Sequence, residues 1–187
     1  MSGETELPSF EEVATDLYHP LRRYLENYVG DQTVAEDLLQ ETLLKISKGL
    51  PSFAGRSSIK TWAFAIAYRV GVDYFRAPQR RAKIVELDEE EEQIDNARAV
   101  DENLIAGQMN DCIKGVIDSL PGTYRAALVL SDIEQLTAKQ TAEILGCSLE
   151  NAKIRIHRAR KRLKKALEES CDFYRDNDDT LRCDEKG

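Results

Sequence analysis

Apolar residues recur at intervals of three and four over most of this chain, the spacing that places side chains on one face of an α-helix. In the first such segment, residues 10–28, the apolar positions are Val13, Leu17, Leu21, Tyr24 and Tyr28. In the second, residues 33–49, they are Ala35, Leu38, Leu39, Leu43 and Ile46. A third helix is expected to begin after Ser57 or Ser58, either of which can cap it, and to end near Arg76, before Pro78. No segment shows a clear strand pattern.

The second half of the chain predicts three further helices in a tighter arrangement. Residues 120–131 and 137–145 each suit a helix, Gly146 suits a left-handed stop, and Ser148 can cap the next helix. On that last helix we expect one apolar stripe formed by Leu149, Ala152, Ile156, Ala159, Leu163 and Ala166. Two helices joined by so short a turn predict a helix-turn-helix, whose second helix can enter a DNA major groove.

The predicted fold class is therefore all-α, with two small helical domains. We expect a first domain at residues 1–77, an acidic flexible linker at 78–110, the helix-turn-helix domain at 111–168 and a cysteine-containing tail at 169–187. The linker is placed on the acidic run at residues 88–92, because such runs with few apolar residues remain solvated.

Charge is distributed unevenly between these parts. The chain has a net charge of −8, and residues 1–76, 77–110 and 171–187 are each net negative. Residues 111–170 are net positive, and residues 153–165 hold eight Lys or Arg side chains and no acid. A local reversal of sign of this size is typical of a surface that binds a polyanion, so nucleic acid is the expected partner.

The basic helix divides into two candidate groups along its length. Exposed residues near the N-terminus of a recognition helix reach base edges, and later cations contact phosphates. The candidate base readers are Glu150, Asn151, Lys153, Ile154 and His157. The candidate phosphate contacts are Arg158, Lys161, Arg162 and Lys165. For such a helix on its own, a solvated face or a membrane- or protein-binding face is the alternative.

Several other classes of protein are disfavoured. No stretch approaches the roughly 20 apolar residues of a membrane span, and the acidic N-terminus lacks an export signal, so cytoplasmic localisation is expected. No paired-carboxylate, Cys/His or glycine-rich phosphate motif has usable spacing, so we expect neither catalytic activity nor a cofactor. A stand-alone helix-turn-helix transcriptional regulator is the alternative function, although the first domain lacks the strand and helix alternation of a receiver domain.

Two segments resemble the bacterial extracytoplasmic-function (group 4) sigma factors, in the sigma-70 family of RNA polymerase subunits. The sequence AEDLLQETLLKI at residues 35–46, followed by FAGRSSIKTWAFAIAYRVGVDYFR at 53–76, is similar to region 2 of that family. Residues 120–167, which contain the predicted helix-turn-helix, are similar to region 4. The resemblance spans residues 10–167 and depends on the order and spacing of the two motifs.

The resemblance implies an alternative sigma factor that binds core RNA polymerase through its β′ clamp helices and β flap. Such a subunit directs promoter-specific initiation, here in a stress, envelope, metal or redox response under the control of an anti-sigma factor. The resemblance implies that the polymerase binds a polar helix face formed by Asp37, Gln40, Glu41 and Lys45. It also implies that the helix-turn-helix binds the duplex minus-thirty-five element.

The resemblance also implies that region 2 holds the melted minus-ten element of the promoter. The implied contacts are Arg56, Lys60, Arg69, Asp73 and Arg76, the last three as a pocket for a flipped base. Arg69 stands where the family often has Asn, which leaves the preferred base open. The nearby rings are expected mostly in the core, Trp62 above all, and they are Trp62, Phe64, Tyr68, Tyr74 and Phe75.

The tail departs from this pattern. Cys171 and Cys183 are the only cysteines there, and structural zinc usually requires four ligands in closer spacing, so they are weak metal candidates. We expect a disordered tail, with a redox- or metal-responsive pair and a partner-docking segment as the alternatives.

Overall fold

The structure, a computed structural model, describes residues 7–77, 111–175 and 181–185, so the predicted linker at 78–110 lies outside it. The first domain consists of α1 (Phe10–Val29), α2 (Gln32–Gly49), a 3-10 turn (Leu50–Ser52) and α3 (Ile59–Arg76). The second consists of α4 (Asp111–Ser119), α5 (Gly122–Leu128), a π-helical turn (Val129–Ile133), α6 (Ala138–Leu145) and α7 (Leu149–Ser170). The all-α prediction is confirmed for both domains.

Local hydrogen bonds explain where the first three helices begin. Ser9 caps α1 in a capping box, in which its backbone N–H donates to Glu12 Oε2 at 2.8 Å. Asp31 caps α2 by accepting from the Val34 backbone N–H. Of the two serines that could cap α3, Ser58 is the cap, because its Oγ accepts from the Thr61 backbone N–H at 3.0 Å.

Large aromatic rings fill the core of the first domain. The rings of Tyr24 and Phe64 are fully buried, with centroids 5.5 Å apart, and Tyr28 meets Phe75 edge to face. Gly71 permits the close approach of α1 to α3, because an added Cβ would lie 2.5 Å from Tyr28 Cε1. Trp62 is only half-buried, although it was expected to be the most buried ring, and it packs on the ring of Phe53.

Aliphatic side chains of both large and small size fill the core of the second domain, and Leu128, Leu130 and Leu163 are among the large ones that are fully buried. Ala126 and Ala127 on α5 and Ala152 and Ala159 on α7 are also fully buried, and the two helices are in contact. Alanines allow helices to cross closely, so α7 lies against α5 and α6 with its polar side turned outward.

The two domains pack against each other, which the sequence patterns did not indicate. Helix α1 contacts α4, α5 and the π-helical turn, and α3 contacts α6. The buried apolar residues of both domains form one continuous cluster.

The tail forms an antiparallel hairpin of β1 (Cys171–Arg175) and β2 (Leu181–Glu185), so the expectation of a disordered tail is wrong for these residues. Backbone pairing along a hairpin needs no apolar periodicity, which is why the helical pattern gave no sign of it. In the observed register Cys171 is opposite Glu185 and Cys183 is opposite Phe173, so the two cysteines are not cross-strand partners.

Candidate polymerase and promoter interfaces

The predicted polymerase-binding face of α2 is open to solvent. Asp37, Gln40, Glu41 and Lys45 are all exposed, and Lys45 Nζ lies 2.8 Å from Glu41 Oε1. The fold thereby brings the four side chains together on one helix face, opposite the buried Leu38, Leu39 and Ile46.

An apolar side chain lies within this polar face. Leu44 is 61% exposed, and it follows Gln40 by four residues and Glu41 by three. The helical spacing alone could have identified it, because these steps place it beside the predicted polar residues. A solvent-exposed leucine ringed by charged and polar groups matches the composition of a protein interface, with an apolar centre and a polar rim.

The predicted minus-ten residues lie mostly on the outer side of α3. Arg69, Asp73 and Arg76 are exposed and follow one another at steps of four and three residues, so they share one face. Arg56 is exposed in the loop before α3, whereas Lys60 is half-buried with its Nζ 5.8 Å from the centroid of the Phe64 ring. Lys60 therefore packs against a core ring, and the other four residues are exposed to solvent.

The rings of α3 divide between the core and the surface. Phe64 and Phe75 are buried, as expected, while Tyr68 and Tyr74 are half-buried at the edge of the core. Burial raises the pKa of the Tyr68 hydroxyl, and the positive charge of Arg155 on α7 opposes that shift. Tyr68 thus lies close to the recognition helix of the other domain.

The helix-turn-helix has the stop at Gly146 and the cap at Ser148 that the sequence predicts. Thr137, which the sequence pattern placed inside the helix, instead caps α6 in a capping box with Gln140. Gly146 ends α6 in the left-handed region, with φ of 64°, and Ser148 Oγ accepts from the Asn151 backbone N–H at 3.1 Å. Only a residue without Cβ adopts this conformation at little cost, so the turn between the two helices is set locally.

The buried stripe of α7 differs from the predicted one at both ends. Ala152, Ile156, Ala159 and Leu163 are buried as expected, but Leu149 is 45% exposed and Ala166 is half-buried, while Leu167 is buried. Leu149 has the correct angular position but lies in the first turn of the helix, beside the exposed Gly146 and Ser148. Leu167 lies 11 residues after Ile156, closer to three full turns than Ala166 does.

The candidate base readers occupy the free start of α7. Glu150, Asn151 and Lys153 are exposed, and Ile154 and His157 are half-buried beside them. The exposed Leu149 joins this group, and an apolar side chain there can contact a thymine methyl group.

The candidate phosphate contacts follow along the same helix. Lys161, Arg162 and Lys165 are exposed, and Arg158 is half-buried. The guanidinium of Arg162 lies 4.8 Å from the centroid of the Tyr124 ring, which orients it along the domain surface. Arg160 belongs to the same basic run but is ion-paired with Asp132, its Nε donating to Oδ2 at 2.9 Å, so its role is to anchor α7 to the π-helical turn.

Comparison with known proteins identifies the family to which these surfaces belong. The family description "Sigma-70 region 2" matches residues 13–81, and "Sigma-70, region 4" matches residues 110–163. The ECF RNA polymerase sigma factor SigX of Bacillus subtilis is 31% identical over 157 residues, which cover 82% of this chain and 81% of SigX. The RNA polymerase sigma factor SigZ of the same organism is 29% identical over 90% of this chain and 92% of SigZ.

A solved structure agrees with the fold. The sigma factor RpoE of Bartonella quintana, in complex with the anti-sigma factor NepR, superimposes with a TM-score of 0.66 at 24% identity, covering 85% of this chain and 96% of RpoE. The chain belongs to the extracytoplasmic-function sigma factors of the sigma-70 family. This is a family of transcription initiation factors whose region 4 binds DNA, and it is not a family of catalytic enzymes.

Two further properties of the described residues concern membrane spans and metal ions. Across residues 7–77, 111–175 and 181–185, no helix combines the length and apolar character that a membrane span requires. In the same residues no group of three or more His, Cys, Asp or Glu side chains is placed to hold a metal ion.

Proposed function

We propose that this chain directs core RNA polymerase to its promoters through three separate surfaces. The first is the polar face of α2, for the polymerase. The second is the outer face of α3 with its preceding loop, for the melted minus-ten element. The third is the exposed start and basic side of α7, for the minus-thirty-five duplex. The observation that carries the proposal is that most of the residues in each set are exposed while their helices are anchored by buried cores.

On α2, the apolar centre is Leu44 and the polar rim comprises Asp37, Gln40, Glu41 and Lys45. Central apolar side chains contribute more to binding than rim charges, which are screened by water and salt. Leu44→Ser should therefore weaken binding to core polymerase by about tenfold or more, measured by fluorescence anisotropy of the labelled chain. Leu7→Ser is the matched control, because Leu7 is 45% exposed and lies outside α2.

On α3, the three exposed residues Arg69, Asp73 and Arg76 offer both donors and an acceptor to a base edge. A pocket that holds an extruded base also favours strand opening, because extrusion costs a few kcal/mol that binding offsets. Arg69→Ala should therefore reduce open-complex formation on duplex promoters more than on promoters with a pre-melted minus-ten element. Permanganate footprinting measures the difference.

On α7, Glu150, Asn151 and Lys153 read bases, and Arg158, Lys161, Arg162 and Lys165 hold the phosphates. A change at Lys153 should alter the preferred minus-thirty-five sequence, whereas a change at Lys161 should weaken binding on all sequences alike. Selection from a randomised minus-thirty-five library separates the two effects.

One experiment tests the function as a whole. Run-off transcription is measured with purified core polymerase, the full chain and a promoter library, and promoter-specific initiation is the expected result. Duplex binding without polymerase and no initiation would instead identify a stand-alone helix-turn-helix regulator. Chemical turnover of nucleic acid in the absence of polymerase would overturn the expectation that the chain has no catalytic activity.

We also propose that an anti-sigma protein controls this chain, in a stress, envelope, metal or redox response, and that it acts in the cytoplasm. The proposal is supported by the shared fold of RpoE, which is solved with its anti-sigma factor NepR. An anti-sigma protein should abolish run-off transcription when it is added before core polymerase and should inhibit less when it is added after. Equal inhibition in both orders would count against competition for these surfaces.

A further inference from the structure

We infer that Ile154 of α7 reads the C5-methyl group of a pyrimidine base in the minus-thirty-five duplex, so that promoter choice by this chain depends on a methyl group in the major groove. The inference rests on the proposed function, because the contact can form only if the start of α7 enters that groove. Glu150, Asn151 and Lys153 read bases through polar atoms, whereas this contact is apolar.

Ile154 is an apolar residue in the middle of a polar helix face. Glu150 and Asn151 precede it by four and three residues, and His157 and Arg158 follow it by three and four. Residues at these steps are neighbours on the surface of an α-helix, so the four polar side chains lie around Ile154. Glu150 and Asn151 are exposed, and the other three residues are half-buried. Candidate base readers and the first candidate phosphate contact therefore enclose one apolar side chain.

Packing within the protein does not account for an isoleucine at this position. Among the described residues, the common apolar cluster includes Ile156, Ala159 and Leu163 of α7, and the half-buried Ala166 packs against it, but Ile154 belongs to neither group. β-branched residues are also less favourable in helices than alanine or leucine, because their χ1 angle is restricted. Neither the core nor the helix is therefore stabilised by the choice of isoleucine here.

The other exposed apolar residue of α7 lies on a different side of the helix. Leu149 is 45% exposed, and it precedes Ala152 by three residues and Ile156 by seven, so it lies in line with the buried stripe. Ile154 follows Leu149 by five residues, which at about 100° per residue places it about 140° further around the helix. Ile154 is therefore the apolar side chain that the polar readers surround.

The major groove of DNA offers a matching apolar group. Base pairs present hydrogen-bond donors and acceptors in that groove, and thymine adds a C5-methyl group. Cytosine that is methylated at C5 presents the same group at the same place. The isoleucine side chain has no polar atom, so it can favour binding only by removing apolar surface from water. The ligand of Ile154 is thus a pyrimidine C5-methyl group, and its source is thymine or 5-methylcytosine.

The position of Ile154 along α7 suits this contact. Recognition helices place their N-terminal residues against base edges, and Ile154 lies about 7.5 Å along the helix axis from Leu149, the first residue of α7. Asn151, about one turn earlier on the same face, can pair with the N6 and N7 atoms of an adenine. Arg158, about one turn later, is a candidate phosphate contact. The methyl group is therefore expected beside an adenine that Asn151 reads.

The test first removes the methyl group from the DNA. The holoenzyme of core polymerase and the full chain selects its preferred minus-thirty-five sequence from the randomised library. Each thymine of that sequence is then replaced by deoxyuridine, which pairs with adenine in the same way and lacks only the methyl group. At one position the replacement should weaken holoenzyme binding about fourfold, the effect of one buried methyl group. Fluorescence anisotropy of the labelled promoter measures the change.

Variants of α7 show which side chain detects the methyl group. Ile154→Ala should bind the thymine and deoxyuridine promoters equally, because the contact is already absent from that variant. Its slope of log affinity against log salt concentration should be unchanged, because an apolar contact releases no counterions. Leu149→Ala is the matched control for truncation on the same helix and should still distinguish the two promoters. If circular dichroism shows that Ile154→Ala has not folded, Ile154→Thr, which keeps the branched shape, is measured in its place.

A second comparison identifies the source of the methyl group, with cytosine or 5-methylcytosine at the sensitive position. Tighter binding to the methylated base would show that either pyrimidine can supply the group, and equal binding would assign it to thymine. The inference is overturned if no thymine is sensitive to deoxyuridine, or if the folded Ile154 variant still distinguishes the two promoters. Failure of the unaltered holoenzyme to select any sequence or to initiate on any promoter would instead overturn the proposed function.

Discussion

The two domains fill their cores with different kinds of side chain. The first buries the rings of Tyr24, Tyr28, Phe64 and Phe75, which pack against one another between α1 and α3. The core of the second is mainly aliphatic, with large side chains such as Leu128, Leu130 and Leu163 and with fully buried alanines on α5 and α7.

The difference predicts which changes of side-chain size are most informative in each domain. Removing a ring should damage the first domain, because a vacated ring leaves a cavity that rigid helices cannot close. Adding volume at a fully buried alanine should damage the second, because the packed core around it has no room for extra methylene groups.

The largest expected effect is at Phe64. Phe64→Ala should lower the free energy of unfolding by about 3–5 kcal/mol, measured by urea denaturation of the full chain followed by circular dichroism. Tyr18→Ala is the control, because Tyr18 is 40% exposed and its loss should change stability by less than about 0.5 kcal/mol. A Phe64→Ala effect as small as the control would show that the ring does not support the core.

The next effect is at Ala159, which is fully buried on α7. Ala159→Leu should lower the free energy of unfolding by about 1–3 kcal/mol, because the packed core around Ala159 has no room for the added atoms. Ala166→Leu on the same helix makes the same change at a half-buried position and should cost clearly less. Equal losses at the two positions would show that the core leaves no less room at Ala159 than at the half-buried Ala166.

A smaller effect is expected at the turn between α6 and α7. Ser148→Ala removes the side-chain acceptor for the Asn151 backbone N–H and should cost about 1 kcal/mol of stability. Because the start of α7 carries the candidate base readers, the minus-thirty-five duplex should also be bound less tightly. Ser47→Ala, at an exposed position on α2, provides the comparison, and a loss of similar size there would argue against a specific role for the cap.

The smallest effect is expected at Lys165, a single candidate phosphate contact. Lys165 Nζ lies 4.0 Å from Glu169 Oε1, and both side chains are well exposed, so this ion pair contributes little to stability. Lys165→Ala should leave the free energy of unfolding nearly unchanged and reduce the slope of log affinity against log salt concentration by about one. Lys114→Ala should leave that slope as it is, and a slope unaffected by Lys165→Ala would remove this residue from the phosphate set.

Much of the fold and of the candidate surfaces could be predicted because the deciding interactions are local. A cap needs a Ser, Thr or Asp followed by an N–H three residues later, and Gly146 alone provides a left-handed stop, so both are visible in a short window of sequence. The exposed face of α2 could be predicted in the same way, because residues three and four positions apart lie on one face of a helix. Leu44 lies on that face but was not predicted to be exposed, because leucines usually pack inward.

Other features depended on what lies opposite each side chain. Leu149 lies on the same face of α7 as the buried stripe, but it is exposed. A side chain on that face is buried only where another element packs against the same turn of the helix. The periodicity of the sequence does not show which turns are covered in this way. Trp62 is bulky enough for a core, yet it lies at the edge beside Gly49 and Phe53. The hairpin of the tail is held by backbone pairing, which leaves no periodic trace in so short a polar segment.

The helices, most of their caps, the helix-turn-helix and the polar helix faces were determined by residues close together in the chain. The packing of one domain on the other was decided only in three dimensions. Arg23 is an exposed cation on α1 and Glu134 is an acid just after the π-helical turn, and no pattern links them across 111 positions. Their pairing depends on a shared apolar boundary that excludes water from Glu134, and a boundary of that kind exists only once both domains have folded.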